Sequence, residues 1–164
     1  MPPKFAFPPS VDASTRLLIL GSLPGDVSIA RQEYYAHRGN AFWALIGDVL
    51  GEALAGQPYP LRLARLQARG VGLWDVMASA TRPGSLDSAI SDADVRDLGG
   101  FIAALPALQA VAFNGKMAAL HGRRQLGDRD DLALIDLPSS SGAHATVSRG
   151  QKVQAWRVLC DWIV

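Results

Sequence analysis

The apolar run Leu17-Leu18-Ile19-Leu20, broken at once by Gly21-Ser22-Leu23-Pro24-Gly25, constrains this chain more than any other feature. Four consecutive branched aliphatic residues leave no polar face, the pattern of a strand buried on both sides in a parallel sheet. A glycine-bracketed loop straight after such a strand opens at its carboxyl end, where open α/β sheets place their ligands. A site is expected at that edge.

The rest of the chain repeats the alternation. Strands are predicted over residues 16–20, 71–76, 108–113 and 132–137. Between them the 3.6-residue period predicts a helix over 41–50, with Phe42, Trp43, Ile46, Val49 and Leu50 on one face, and another over 61–68 ended by Gly70. Further helices are predicted over 92–105, with Val95, Leu98, Ile102 and Leu105 inward, over 116–121 after an Asn114-Gly115 turn, and over 148–163 with Ser148 as N-cap. Residues 77–91 read as a long loop, 138–147 as a loop rich in Ser and Gly, and 1–12 as an irregular proline-rich segment. Strands separated by helices imply crossover connections, hence an α/β fold with a mostly parallel sheet covered on both faces.

Length and composition narrow the function. A chain of 164 residues, 49% hydrophobic, suits one domain. The single cysteine excludes an internal disulfide, and the pattern Trp156, Leu159, Cys160, Ile163 predicts a packed core thiol. No segment reaches the roughly 18 apolar residues of a membrane span, and the first five residues lack the apolar middle of a signal peptide, so a cytoplasmic location is expected. A net charge of +1 excludes a strong global attraction to nucleic acid; any such affinity needs a local cluster of basic groups and loop amides.

Three constellations carry candidate chemistry, all just after strands. In Gly21-Ser22-Leu23-Pro24-Gly25 the glycines permit close backbone approach, and free N–H groups there can bind an anion or a carbonyl; the alternative is a plain tight turn. The loop matches neither the phosphate loop, nor the dinucleotide fingerprint, nor the Gly-x-Ser-x-Gly elbow. In Tyr34-Tyr35-Ala36-His37-Arg38-Gly39-Asn40 the aromatic rings can stack a flat base, or they cap the core while Asn40 serves as a helix N-cap. In Ser139-Ser140-Ser141-Gly142-Ala143-His144 the hydroxyls and amides can grip phosphates, or the segment is an ordinary exposed loop. No His, Cys and acid cluster has metal-ligand spacing, and the Ser-His pairing lacks an acid placed by motif.

Taken in order, these motifs resemble the uracil-DNA glycosylase superfamily, and within it the hypoxanthine-DNA glycosylase branch. The resemblance rests on Gly21 to Gly25 with Ser28, on Tyr34-Tyr35-Ala36-His37 and Asn40-Ala41-Phe42-Trp43, and on Leu73-Trp74-Asp75-Val76. It continues through Arg82 with Gly84-Ser85-Leu86-Asp87-Ser88-Ala89-Ile90, Phe113-Asn114-Gly115-Lys116, and Leu137-Pro138-Ser139-Ser140-Ser141. It implies a three-layer α/β/α fold around a four-stranded parallel sheet, with a DNA groove across the strand ends. It also implies a cofactor-free cut of the bond between a deaminated base and deoxyribose in double-stranded DNA; no metal and a monomer are expected.

Site residues follow from the same resemblance. The mismatch-specific uracil and thymine relatives carry a water-positioning Asn in the third place of the first loop, where this chain has Leu23; in the hypoxanthine branch that role passes to the residue that maps onto Asn40. Ser139 stands where the uracil-specific enzymes have a catalytic His, so weak uracil excision is expected. Gly21, Ser22, Leu23, Gly25, Tyr35 and Asn114 are expected to hold the base. Lys116, Ser139, Ser140, Ser141, Gly142 and His144 are expected to hold DNA. Three other readings stay open: a mismatch-specific uracil or thymine glycosylase, a catalytically weak lesion-binding module on the same fold, and a hydrolase of free nucleosides.

Overall fold

A computed structural model describes residues 1–164, and its core is a four-stranded parallel sheet. With β1 (Lys4–Phe5), β2 (Leu17–Gly21), β3 (Val71–Asp75), β4 (Met77–Thr81), β5 (Ser91–Val95), β6 (Ala110–Asn114) and β7 (Ala133–Leu137), the sheet order is β3-β2-β6-β7. Every residue of β2, β3 and β6 is buried, as their apolar runs require. Six helices cover the sheet: α1 (Asp26–Arg31), α2 (Phe42–Leu50), α3 (Tyr59–Ala68), α4 (Leu98–Ala103), α5 (Lys116–Leu126) and α6 (Arg149–Trp156). The fold is the expected three-layer α/β/α arrangement.

Alternation along the strands sorts the core in two. Leu17, Ile19, Leu73 and Ala112 face one layer with Phe42, Ile46, Leu66 and Trp156 from α2, α3 and α6. Leu18, Leu20, Trp74 and Phe113 face the other with Leu98, Ile102, Ala118 and Leu126 from α4 and α5.

Several local expectations are corrected. Residues 77–91 are not a long loop: β4 and β5 pair antiparallel, and β1 from the proline-rich segment joins β4 to make a second, three-stranded sheet. Ser91–Val95 is an exposed strand rather than the first turns of a helix, and α4 starts only at Leu98, where the Asp97 side chain accepts from the Gly100 amide. Long-range pairing with β4 decides the conformation of 91–95, whose brief Asp-Ala-Asp-Val alternation is outweighed in the sequence by the helical period read through it. Helix α5 runs past His121 to Leu126 because Gly122 packs on Phe113; a Cβ there would stand 2.2 Å from the ring. Helix α1 follows directly on Gly25.

The closing segment begins as expected, with Ser148 and Gln151 forming a capping box. It then tightens into a 3₁₀ turn over Arg157–Trp162. The larger rotation per residue, about 120° against about 100° in an α-helix, turns Cys160 to the surface while Leu159 stays buried, so the predicted core thiol is exposed. No helix is long and apolar enough to cross a membrane.

Candidate active site

The parallel register aligns the carboxyl ends of the strands. Gly21 lies beside Asp75, Leu20 beside Phe113, and Asn114 beside Leu137. A cleft of about 1700 Å³ opens over this edge. Gly21, Ser22, Leu23, Gly25, Tyr35, Asn40, Asn114, Lys116, Ser139, Ser140, Ser141, Gly142 and His144 all line it.

The first loop is held open by residues whose part the sequence did not disclose. Arg82, 1% exposed, donates to the carbonyls of Leu23, Pro24 and Gly84. Asp87 pairs with Arg82 at 3.6 Å and accepts from the Ser22 hydroxyl at 2.7 Å. Asp26 at the start of α1 accepts from Lys4, and its amide donates to the Ser85 hydroxyl at 3.0 Å. With its carbonyls occupied this way, the loop keeps the amides of Ser22, Leu23 and Gly25 free of protein acceptors. Leu23 is nearly buried and joins the core beneath the loop.

The Tyr34 to Asn40 segment divides into core and site. Tyr34 is buried, edge-on to Phe7, and donates to the Pro8 carbonyl at 3.0 Å. Tyr35 is less buried, lines the cleft and stacks on Phe42 with ring centroids 4.0 Å apart. Its φ of 55° is left-handed, a conformation costly for a tyrosine and held here by the surrounding packing. The Asn40 carbonyl oxygen Oδ1 accepts from the Phe42 amide at 2.9 Å, although Ala41 is the formal N-cap of α2. This capping bond fixes the Asn40 side chain in the cleft wall and leaves a second lone pair on Oδ1. Both readings of Asn40 are therefore compatible in one geometry.

The serine loop closes the opposite wall. Asn114 Nδ2 donates to Ser140 Oγ at 2.8 Å, and the Ser140 amide donates to Asn114 Oδ1 at 2.9 Å. Ser140 is 1% exposed, and its hydroxyl is held by the Asn114 side chain. The Ser140 carbonyl accepts from the Ala41 amide at 2.8 Å, and a Cβ on Gly142 would stand 2.6 Å from the Gly39 carbonyl. These contacts lock the loop against the Asn40 segment and require glycine at 142. Ser139 and Ser141 accept from amides two residues on, and the buried Lys152 donates to the Ser141 carbonyl at 3.1 Å. Lys116 and Arg124 are exposed on α5 at the cleft margin, and His144 lies on the serine loop.

Asp75 forms the floor. It is 3% exposed, its Oδ2 makes no hydrogen bond, and the hydroxyl of Tyr35 is likewise unpartnered. Burial pushes the Asp75 carboxyl up to about 7; Arg96 opposes this, Asp87 adds to it and Arg82 opposes it. Burial also raises the Tyr35 phenol, the Asp75 charge adds, and neighbouring Asn114 opposes. Asp75, Arg82 and Asp87 stood in the motifs, but only burial and pairing reveal their parts. No group of three or more His, Cys, Asp or Glu side chains is placed to hold a metal ion.

Comparison with known proteins agrees with this architecture. The model of the uracil DNA glycosylase superfamily matches residues 8–160. The chain is 40% identical to the hypoxanthine DNA glycosylase of Methanosarcina acetivorans over 149 residues, covering 91% of this chain and 93% of that protein. It is also 40% identical over 151 residues to the hypoxanthine DNA glycosylase of Methanosarcina barkeri, with the same coverage. The solution NMR structure of a candidate uracil DNA glycosylase from Methanosarcina acetivorans superposes with a TM-score of 0.84 at 38% identity, covering 97% of each chain. With its four parallel strands, the cleft at their carboxyl ends and a family match over almost its whole length, the chain belongs to the uracil DNA glycosylase superfamily.

Proposed function

We propose that this protein is a monofunctional DNA glycosylase that releases hypoxanthine from double-stranded DNA, leaving an abasic site. The observation that carries the reading is the cleft wall formed by Asn40, Tyr35 and Asn114, in a chain 40% identical to two hypoxanthine DNA glycosylases. We infer further that it acts as a monomer, as one domain, in the cytoplasm.

The chemistry asks for little from the protein beyond placement. As the glycosidic bond breaks, the sugar gains oxocarbenium character and the base gains negative charge. Asn40 orients the water that attacks the sugar carbon, using the Oδ1 lone pair that the Phe42 amide leaves free. An amide is a weak base, but a cationic transition state needs only a positioned water. The free amides of Ser22, Leu23 and Gly25 and the fixed side chain of Asn114 donate to the departing base, while Tyr35 offers a ring face to it. Lys116, Ser139, Ser141, Gly142 and His144 hold the backbone of the strand from which the base is extruded. Ser140 acts through Asn114.

The deciding experiment is a panel of duplexes carrying hypoxanthine, uracil, xanthine or a G·T mispair, assayed with chelator present and scored for abasic sites. Hypoxanthine released fastest supports the reading. Faster release of uracil or of mispaired thymine moves the protein to the mismatch-specific branch, and binding without cleavage makes it a lesion-binding module.

A further inference from the structure

The mechanism above leaves one buried titratable group unused. Asp75 sits at the floor of the cleft, 3% exposed, with Oδ2 free of any hydrogen bond. Its Oδ1 and the Tyr35 hydroxyl approach the same point over Gly21: a Cβ there would lie 2.6 Å from the one and 2.9 Å from the other. A buried carboxyl with an unpaired oxygen is unfavourable for folding, so its presence in the lining of a ligand cleft calls for a chemical role.

We propose that Asp75 is a second catalytic group, a general acid that hands its carboxyl proton to ring nitrogen N7 of the extruded purine as the glycosidic bond breaks. This rests on the reading that the released base is a purine. The bond from the sugar carbon to N9 breaks and its electron pair moves into the imidazole ring, where the Asp75 proton is taken up. Water adds its oxygen to the sugar carbon, and the proton that it sheds passes through solvent to restore the carboxyl. Atoms and charges balance without any further reactant.

The surroundings favour the acid over the base. An ionised carboxylate beneath the leaving purine would repel the charge that develops there, whereas the neutral carboxyl neutralises it. Burial holds the proton on Asp75 up to about pH 7. The charged and titratable neighbours are Arg96 beyond β5, Arg82 and Asp87 beyond β4, and Tyr34 and Tyr35 before α2. None competes as the donor. Arg82 is committed to loop carbonyls, Arg96 donates to the Phe7 carbonyl, and burial raises both phenols further from donation. His37 is exposed at the rim, with Nδ1 accepting from the Gly39 amide. A pyrimidine has no imidazole nitrogen to accept this proton, so Asp75 also favours purines over uracil.

The test is single-turnover cleavage by wild type and Asp75→Asn across a pH series, on duplexes carrying hypoxanthine or its 7-deaza analogue. Wild type is expected to lose rate above pH about 7, approaching about tenfold per pH unit. Asp75→Asn is expected to be slower by roughly a hundredfold or more on the acid side and to lack that limb. The 7-deaza duplex, which has no nitrogen to protonate, is expected to be cut slowly and equally by both proteins. Asp75→Asn with wild-type rate and pH profile overturns the proposal, as does wild-type cleavage of the 7-deaza duplex as fast as hypoxanthine. The 7-deaza comparison needs only wild type, so misfolding of the variant does not blunt the test. Failure of wild type to release hypoxanthine overturns the proposed function together with this inference.

Discussion

Asn114 and Ser140 hold each other through two hydrogen bonds, from Nδ2 to Oγ at 2.8 Å and from the Ser140 amide to Oδ1 at 2.9 Å, with both residues buried. One residue ends the third strand of the sheet order and the other lies in the serine loop, so the pair fastens the end of β6 to the opposite wall of the cleft.

Ser140→Ala leaves the Asn114 amide donor without its partner. A buried donor orphaned in this way costs about 1–3 kcal/mol, and the freed side chain loses its orientation in the cleft. Urea unfolding is expected to show that loss, and single-turnover cleavage of a hypoxanthine duplex to slow by more than the stability change explains. An unchanged rate with reduced stability would confine the pair to the fold.

At Asn40 the capping and water-orienting readings separate by substitution. Asn40→Ala removes the bond to the Phe42 amide and is expected to cost about 0.5–2 kcal/mol of stability. As the water-orienting group it is also expected to slow the chemical step by roughly a hundredfold, about 2.7 kcal/mol, while DNA binding survives. Asn40→Asp keeps a capping oxygen but repels the departing base, so it is expected to melt like wild type and cleave poorly. Normal cleavage by Asn40→Ala would reduce Asn40 to a cap.

Asp75 makes stability depend on pH with a definite sign. Its carboxyl titrates near 7 in the folded protein against 3.8 ordinarily, so over that interval the folded chain holds a proton that the unfolded chain has lost. The contribution is complete below the lower value and is lost as pH rises to the upper one, at up to about 1.36 kcal/mol per pH unit. Asp75→Asn does not titrate. Its stability relative to wild type is therefore expected to rise from pH about 4 to about 7 and then level, read from urea midpoints. A difference that stays constant with pH would show that Asp75 titrates normally.

Gly21→Ala probes the close approach at the cleft floor. The added methyl would stand 2.6 Å from Asp75 Oδ1 and 2.9 Å from the Tyr35 hydroxyl, so both must move. Overpacking of this kind costs about 1–3 kcal/mol, and turnover is expected to fall by roughly tenfold or more because both displaced groups line the site. Full activity in Gly21→Ala would mean that neither group touches the base.

The sequence by itself determined the parallel sheet and the place of the cleft. A strand buried on both faces must be written in apolar residues, as Leu17 to Leu20 are, and the loops after such strands announce themselves by glycine, asparagine and serine. Those signals are local, and they located Gly21 to Gly25, Asn40, Asn114 and the serine loop at one edge. Only the tertiary structure decided the second sheet, because the alternation in Met77–Thr81 and Ser91–Val95 rests on alanine and a single valine, too weak to mark a strand, and the two become strands by pairing with each other and, on the far side of Met77–Thr81, with Lys4–Phe5. It also decided which polar residues are buried and with whom. Arg82, in the sequence only one member of a motif, is 1% exposed beneath the first loop, the Ser140 hydroxyl is bonded to Asn114, and Cys160 reads as core yet faces outward. Asp75 stands in a motif, but its chemistry comes from desolvation and from partners distant in the chain, and both exist only once the strands have come together.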